Sequence, residues 1–189
     1  ARSRILSSLR AFFLARDFLE VETPIVCASP GVETHLDALA TRACGRTMYL
    51  TTSPEFHMKR LVAVGMDRVF QVTRAFRDHE SGDRHNPEFT MIEWYRAGED
   101  YEAIMRDCEQ LLEHLAQDLR GCADSPAVPG LQPALDLAAP YPRVTYIEAF
   151  ARAGVTEPLS LDFDERCRLL ADEVETRVGV TAAEFLCDY

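Results

Sequence analysis

Apolar side chains recur at helical spacing in three segments of the first 120 residues. A helix is predicted to begin at Ser53-Pro54 and to stop at Gly65, because serine is a good N-cap, proline suits the first turn and glycine ends helices. The clearest helix is predicted from Asp100 to Leu119. The segment RILSSLRAFFLAR predicts the helix nearest the N-terminus, with an apolar face formed by Ile5, Leu6, Leu9, Phe12 and Phe13.

Alternating apolar and polar residues predict strands between these helices. FLEVETPIV alternates until Pro24 interrupts it, and RVFQVTRAF (68–76) and FTMIEWY (89–95) predict two strands joined by a polar loop. Because alternate side chains share a face, Glu93 lies between Met91 and Tyr95. An ordinary buried sheet face would not carry a glutamate in that position. We therefore predict a pocket floor. The shared faces are Gln71, Thr73, Ala75 and Arg77 on one strand, and Phe89, Met91, Glu93 and Tyr95 on the other.

The chain from residue 121 onwards begins with a proline-rich segment, at about 121–143, that predicts a linker or a long surface loop. VTYIEAFARAG and DFDERCRLLADEVETRVG then predict two helices, and AEFLCDY predicts a strand. A chain of 189 residues can bury one sizeable core and form at most two small domains.

Composition narrows the class of protein. Apolar residues make up 47% and charged residues 27%, which is ordinary for a folded globular chain. No uncharged apolar run approaches the length of a bilayer span, so we expect no membrane association. Six scattered cysteines without a C-x-x-C pair predict reduced thiols in the cytoplasm. The net charge of −11 disfavours a surface that coats nucleic acid, but it permits one small anion site.

The loop FRDHESGDRHNPEF concentrates cations in this acidic chain, with Arg77, His79, Arg84 and His85 within nine residues. Arginine can bind a phosphate with two hydrogen bonds and a fixed charge, His85 can reach outer phosphates, and Phe89 offers a ring for a base. The loop therefore predicts a nucleotide site, and the alternative is a solvated hairpin tip whose charges pair locally. The sequence has neither a P-loop nor a dinucleotide-binding glycine pattern.

Three segments resemble class II aminoacyl-tRNA synthetases of the lysyl branch, and the chain is identified as a member of that family from about Ser3 to Leu119. FRDHESGDRHNPEFTMIEWY resembles motif 2, RDFLEVETPIV resembles motif 1 with its obligatory Pro24, and TSPEFHMKRL resembles the segment that holds the amino acid. The resemblance implies an α+β fold with an antiparallel sheet flanked by helices. It also implies one catalytic domain over residues 1–189, a homodimer built on motif 1, and an AMP-forming ligase that uses ATP and Mg²⁺.

The resemblance also implies roles for individual residues. Arg77, the catalytic residue, would hold the α-phosphate of ATP, Glu55 the amino group near the substrate's carboxylate, and Glu93 the distal ammonium group. The ATP-binding set is Arg77, Asp78, His79, Glu80, His85, Asn86 and Phe89. The substrate-binding set is Ser53, Pro54, Glu55, Glu93 and Tyr95, and no metal ligand is assigned in this chain.

Two features within the lysyl branch resemble the ligases that attach (R)-β-lysine to elongation factor P. Ser53 precedes Pro54-Glu55, where lysyl-tRNA synthetases typically carry alanine, and Trp94 follows the ligase pattern. The resemblance to these ligases leads us to expect no anticodon-binding domain before motif 1, and the acidic charge disfavours tRNA binding. The expected substrates are (R)-β-lysine or lysine, with elongation factor P as the acceptor. The alternatives are the catalytic part of a lysyl-tRNA synthetase and a non-catalytic paralogue that binds or scaffolds.

The chain departs from the family pattern at several positions. His79 occupies the place of the glutamate in F-R-x-E, so either His79 or the following Glu80 would contact adenine. Asp17 replaces the usual glycine of motif 1. Motif 3, with its ATP-binding arginine, does not occur, nor do the acidic Mg²⁺ ligands that precede it. Because the sequence stops after a strand-like segment, we expect the natural protein to continue beyond Tyr189.

Overall fold

The computed structural model describes residues 2–31, 36–78, 85–120 and 136–188. The chain divides into two compact units, one formed by Arg10–Asp100 and the other by Ala1–Leu9 with Tyr101–Tyr189. Both units combine helices with small sheets, and the sheets of the Arg10–Asp100 unit are mostly antiparallel, so the predicted α+β class is confirmed. None of the helices in the described ranges is long and apolar enough to cross a bilayer.

The helices are α1 (Arg2–Leu14), α2 (Glu55–Ala63), α3 (Tyr101–Arg120), α4 (Tyr146–Arg152) and α5 (Phe163–Leu169). A 3₁₀ turn covers Pro158–Ser160, and a π turn, Leu170–Val174, continues α5. The strands are β1 (Leu19–Glu20), β2 (Val26–Cys27), β3 (Ala40–Ala43), β4 (Arg46–Leu50), β5 (Arg68–Phe76), β6 (Glu88–Arg96), β7 (Arg143–Thr145) and β8 (Phe185–Cys187).

The Arg10–Asp100 unit contains two three-stranded sheets, ordered β1-β5-β6 and β2-β4-β3. In the first sheet, β5 and β6 pair without interruption along their whole length, from Arg68 opposite Arg96 to Phe76 opposite Glu88. The two strands predicted from alternation are therefore confirmed to within one residue at each end. β1 runs parallel to β5 on its other side.

One face of this hairpin packs against the last turn of α1. The fully buried Phe13 ring stacks on Phe70 with centroids 4.8 Å apart, and it lies 5.3 Å from Trp94 and 5.1 Å from Phe18. Phe70 and Trp94 lie opposite each other in the hairpin. Since neighbouring residues of a strand point to opposite faces, Gln71 and Glu93 lie on the second face of the hairpin.

The other unit has its own apolar cluster. In it, α4 contacts β7, β8 and the π turn, and β7 contacts β8. Thr145 begins α4 with a capping box, because its hydroxyl accepts from the Glu148 amide at 3.2 Å while Glu148 accepts from the Thr145 amide at 2.9 Å. β7 and β8 pair in parallel. The buried residues of the cluster are Val144, Tyr146, Ala149, Phe150 and Val174.

The strand predicted from FLEVETPIV is shorter than expected. Only Leu19–Glu20 pairs with β5, and Val26–Cys27 belongs to the other sheet as β2. Between them, Pro24 has no amide hydrogen for a ladder. The Thr23 hydroxyl instead donates to the side chain of Gln71 at 2.9 Å. The chain therefore changes sheets at the predicted break.

The predictions for the later segments are partly confirmed. The helix predicted from VTYIEAFARAG begins only at Tyr146, because the two residues before it pair with β8 as part of β7. The helix predicted after Asp162 keeps regular α geometry only as far as Leu169, and the π turn follows it. The strand predicted from AEFLCDY is confirmed as β8. Residues 121–135 of the predicted proline-rich loop lie outside the described residues.

Candidate active site

The antiparallel register places the two shared faces predicted from the sequence, 71–77 and 89–95, side by side on one surface. Gln71 lies opposite Glu93, and Ala75 lies opposite Phe89. Arg77 directly follows β5, so it stands at the Phe89 end of the same surface, away from Glu93. The predicted pocket floor therefore has an acidic end at Glu93 and a cationic end at Arg77.

The acidic end is a cluster, here called the acidic pocket, of Ser53, Glu55, Glu93 and Tyr95. The Ser53 hydroxyl donates to Oε1 of Glu93, and the Tyr95 hydroxyl donates to Oε2 at 3.0 Å. Burial raises the pKa of the Tyr95 hydroxyl far above its ordinary value, and the charges of Glu93 and then Glu55 raise it further. Tyr95 is therefore a neutral donor at physiological pH, and two hydroxyls fix the orientation of the Glu93 carboxyl group.

The turn before α2 places Ser53 and Glu55 beside the sheet. The Thr51 hydroxyl donates to the Ser53 carbonyl at 2.6 Å, and the Ser53 hydroxyl accepts from the Glu55 amide at 3.1 Å. Pro54 is fully buried and has right-handed helical backbone angles, and α2 begins at the next residue, Glu55. The N-cap of α2 is therefore Pro54 rather than the predicted Ser53, and no side chain caps it. The Ser53 hydroxyl instead joins the first turn of α2 to β6.

Two residues outside the predicted substrate-binding set also lie at the acidic pocket or beside it. The Lys59 ammonium donates to Oε1 of Glu55, one helical turn earlier. Gln71 is only 3% exposed, and its Oε1 accepts from the Thr23 hydroxyl. The four-residue spacing of Glu55 and Lys59 is visible in the sequence. The link from Thr23 to Gln71 is not, because it depends on how the segment after β1 approaches β5.

The cationic end is formed by Arg77 and Phe89. The guanidinium carbon of Arg77 lies 5.2 Å from the centroid of the Phe89 ring. Backbone hydrogen bonds fix the root of the loop, from the Arg77 amide to the Pro87 carbonyl at 3.0 Å and from the Asp78 amide to the Asp37 carbonyl at 2.7 Å. A fixed cation beside an aromatic ring is what a nucleotide phosphate and its base require.

The structure gives fewer contacts for the remaining residues of the predicted ATP-binding set. His85 and Asn86 lie exposed where the loop returns to β6. His79 and Glu80 lie outside the described residues, so the predicted adenine contact stays a prediction. Within the described ranges, no group of three or more histidine, cysteine or acidic side chains could hold a metal ion. The five cysteines in those ranges are all free thiols.

Comparison with known proteins matches the chain to one family over nearly its whole length. The family described as tRNA synthetases class II (D, K and N) matches residues 1–183. An elongation factor P–(R)-β-lysine ligase of Pseudoalteromonas translucida is 38% identical over 178 residues, which is 91% of this chain and 49% of the relative.

Relatives with two different names share this similarity. A second elongation factor P–(R)-β-lysine ligase, from Photobacterium profundum, is 42% identical over 122 residues, or 61% of this chain and 38% of the relative. A lysine–tRNA ligase of the same organism is 41% identical over 149 residues, or 78% of this chain and 29% of the relative. The chain therefore spans no more than 49% of the length of these relatives.

Proposed function

Because the chain belongs to the class II tRNA synthetase family of the D, K and N group, we propose that it forms part of an ATP-dependent ligase for (R)-β-lysine. The proposed reaction activates the amino acid as its adenylate. The acyl group then passes to a lysine side chain of elongation factor P. This acceptor belongs to the translation apparatus, so we place the reaction in the cytoplasm.

The acidic pocket is the observation that carries this proposal. Lysine and (R)-β-lysine each carry two ammonium groups, and the pocket offers the carboxylates of Glu55 and Glu93. The Ser53 hydroxyl links the Glu93 carboxylate to the backbone amide of Glu55. A buried or half-buried ammonium needs a charged partner. We assign the amino group near the reacting carboxyl to Glu55, and the distal ammonium to Glu93 and Tyr95. The substrate's carboxylate would then be directed along the face towards Arg77.

Arg77 and Phe89 fit the role of holding ATP. Arginine presents a fixed charge and paired N–H donors to a phosphate, and here the guanidinium is supported on an aromatic ring. As a carboxylate oxygen bonds to the α-phosphorus and pyrophosphate leaves, Arg77 would stabilise the charge on the α-phosphate oxygens. The chief contribution of the site is to hold the carboxylate in line with that phosphorus.

The second step needs an amine as nucleophile. The acceptor amine attacks the acyl carbon of the adenylate, an amide bond forms, and AMP leaves with the bonding electrons while the amine loses a proton. Phosphoryl chemistry of this kind uses Mg²⁺. The described residues do not fit the role of metal ligands, since none of them form a suitable cluster.

The second candidate is the catalytic part of a lysine–tRNA ligase, and relatives of that name at 41% and 42% identity favour it. The net charge of −11 favours the protein acceptor, because an acidic surface repels a phosphate backbone. Ser53, within hydrogen-bond reach of both the Glu93 carboxylate and the Glu55 amide, favours (R)-β-lysine as the substrate.

A transfer assay separates these candidates. The full-length protein is incubated with ATP and labelled (R)-β-lysine, together with elongation factor P or tRNA specific for lysine. We expect label on elongation factor P, none on a factor whose acceptor lysine is changed to arginine, and no stimulation by tRNA. Charged tRNA with unlabelled elongation factor P would contradict the proposal in favour of the second candidate.

A further inference from the structure

Lys59 is the only lysine among the 20 lysine and arginine residues of the sequence. It lies on α2 one turn after Glu55, and its ammonium group donates to Oε1 of Glu55. A glutamate four residues before a lysine is the favourable order on a helix. On an ordinary protein surface such a pair would contribute little to stability.

The acceptor of this bond sets it apart from an ordinary surface pair. Glu55 is the carboxylate that the proposed function assigns to an ammonium group of the substrate, and Lys59 already brings the same functional group to it. A second ammonium at the same carboxylate would be repelled by the first. The Lys59 side chain is 57% exposed and that of Glu55 is 34% exposed. The flexible stem of Lys59 can therefore swing its ammonium into solvent.

We propose that Lys59 is an internal occupant of the ammonium site at Glu55, and that the incoming amino acid must displace it. The inference rests on the proposed function, because it takes Glu55 as a partner of the substrate. An amino acid with two ammonium groups gains the contacts at Glu93 that offset the loss of the Lys59 bond. An amine without a distal ammonium lacks that gain. Lys59 is thereby a specificity-determining residue that favours diamino acids.

The first measurement follows the reactivity of Lys59 itself. An ammonium held by a carboxylate is acylated more slowly than a free amine, and peptide mapping after a short pulse of acetic anhydride reports Lys59 separately from other amines. We expect saturating lysine to increase acylation of Lys59. We expect 6-aminohexanoate, which lacks the amino group assigned to Glu55, to leave acylation unchanged. Glu55→Gln should give the high rate without any ligand.

The second measurement is the KM for lysine in ATP–pyrophosphate exchange by the full-length protein. Lys59→Met keeps the length of the side chain and removes its charge, so we expect KM for both lysine isomers to fall by about two- to fivefold, the factor expected for an exposed ion pair. Lys59→Arg should leave KM near the wild-type value. The control is Arg60→Met, which removes a neighbouring exposed cation of α2 and should leave KM unchanged.

The outcomes distinguish an occupant from other roles. A KM that rises in Lys59→Met would mean that the lysine positions Glu55 for the substrate, which overturns the proposal. An unchanged KM, or acylation that does not respond to lysine while exchange proceeds, overturns it as well and leaves an ordinary surface pair. A wild-type protein without lysine-dependent exchange would instead overturn the proposed function, and this inference with it.

Discussion

Ser53 connects the two carboxylate-bearing segments of the acidic pocket. Its hydroxyl donates to Glu93 on β6 and accepts from the amide of Glu55 at the start of α2. Moving an amino group from the α to the β carbon displaces the cation by about 1.5 Å, one covalent bond. A side chain that bonds the Glu93 carboxylate and the backbone of Glu55 is therefore placed to respond to that displacement.

We expect Ser53→Ala to shift substrate preference from (R)-β-lysine towards α-lysine. The expected size is about 1–2 kcal/mol, because one hydrogen bond to a charged group is lost for one isomer more than for the other. Adenylate formation by wild type and variant, measured with each isomer, gives the ratio directly.

Ser53→Gly separates specificity from helix capping. Glycine is nearly as good an N-cap as serine, differing by only a few tenths of a kcal/mol, but it offers no hydroxyl to Glu93. If Ser53 acts on specificity, glycine should shift the isomer ratio as alanine does. If Ser53 only caps α2, the glycine variant should keep wild-type stability and the wild-type ratio, which would rule out the specificity role.

Part of this pocket can be predicted from local sequence. Alternation along 89–95 groups Glu93 with Tyr95, and the spacing of Glu55 and Lys59 places both on one helical face. The bonds from Ser53 to Glu93 and from Thr23 to Gln71 span 40 and 48 residues. Such contacts depend on how α2 and the segment after β1 approach the sheet, which no local pattern encodes.

One face of the β5-β6 hairpin carries Gln71, Glu93 and Tyr95, and the other face, here called the supporting face, carries Phe70 and Trp94. Phe13 of α1 is fully buried against Phe70 and Trp94 on the supporting face. Trp94 therefore packs in the core behind the site. Rigid strands of this kind hold functional side chains more precisely than loops do.

We expect Phe13→Ala to destabilise the Arg10–Asp100 unit by about 3–5 kcal/mol, since truncating a buried phenylalanine loses burial and leaves a cavity. Urea unfolding monitored by the fluorescence of Trp94, the only tryptophan in the sequence, measures the change. Val64→Ala is the control, because Val64 is 78% exposed and should change stability by no more than about 0.5 kcal/mol. A loss below about 1 kcal/mol in Phe13→Ala would contradict this packing.

The same elements show where sequence patterns fail. The strands β5 and β6 were predictable because each is rich in β-branched and aromatic residues and contains neither glycine nor proline. The strand predicted before Pro24 is shorter than expected, because only Leu19–Glu20 pairs with β5, and the segment after Pro24 joins the other sheet as β2. The start of α4 was predicted too early, because the apolar Val144 fits a helical face and a buried strand equally well.

The molecule as a whole exposes several large apolar side chains near the segment that resembles motif 1. Scattered exposed apolar residues are normal, but concentrated ones indicate a contact surface. We propose that this segment forms the interface of a homodimer. The exposed large apolar residues from position 14 to position 26 are Leu14 (55%), Leu19 (55%), Ile25 (38%) and Val26 (41%).

We expect sedimentation of the full-length protein to show a dimer at micromolar concentration. Leu19→Glu should weaken dimerisation about 100-fold or more, because it would bury an unpaired charge in the interface. Val64→Glu is the control, since Val64 is also exposed to solvent but lies outside this segment. A fully active monomer in the wild type would contradict the proposed interface.

ATP–pyrophosphate exchange reports whether one face of the hairpin activates a lysine isomer with Arg77 at the α-phosphate of ATP. In the full-length protein, exchange should require (R)-β-lysine or lysine. Arg77→Ala should reduce it about 100-fold or more, as expected when a group that stabilises developing charge is removed. Arg74→Ala, which removes an exposed arginine from the opposite face of β5, should leave exchange near wild type. If Arg77→Ala keeps exchange within tenfold of wild type, the role of Arg77 at the α-phosphate is contradicted. Wild-type exchange that does not depend on either lysine isomer would contradict activation of lysine.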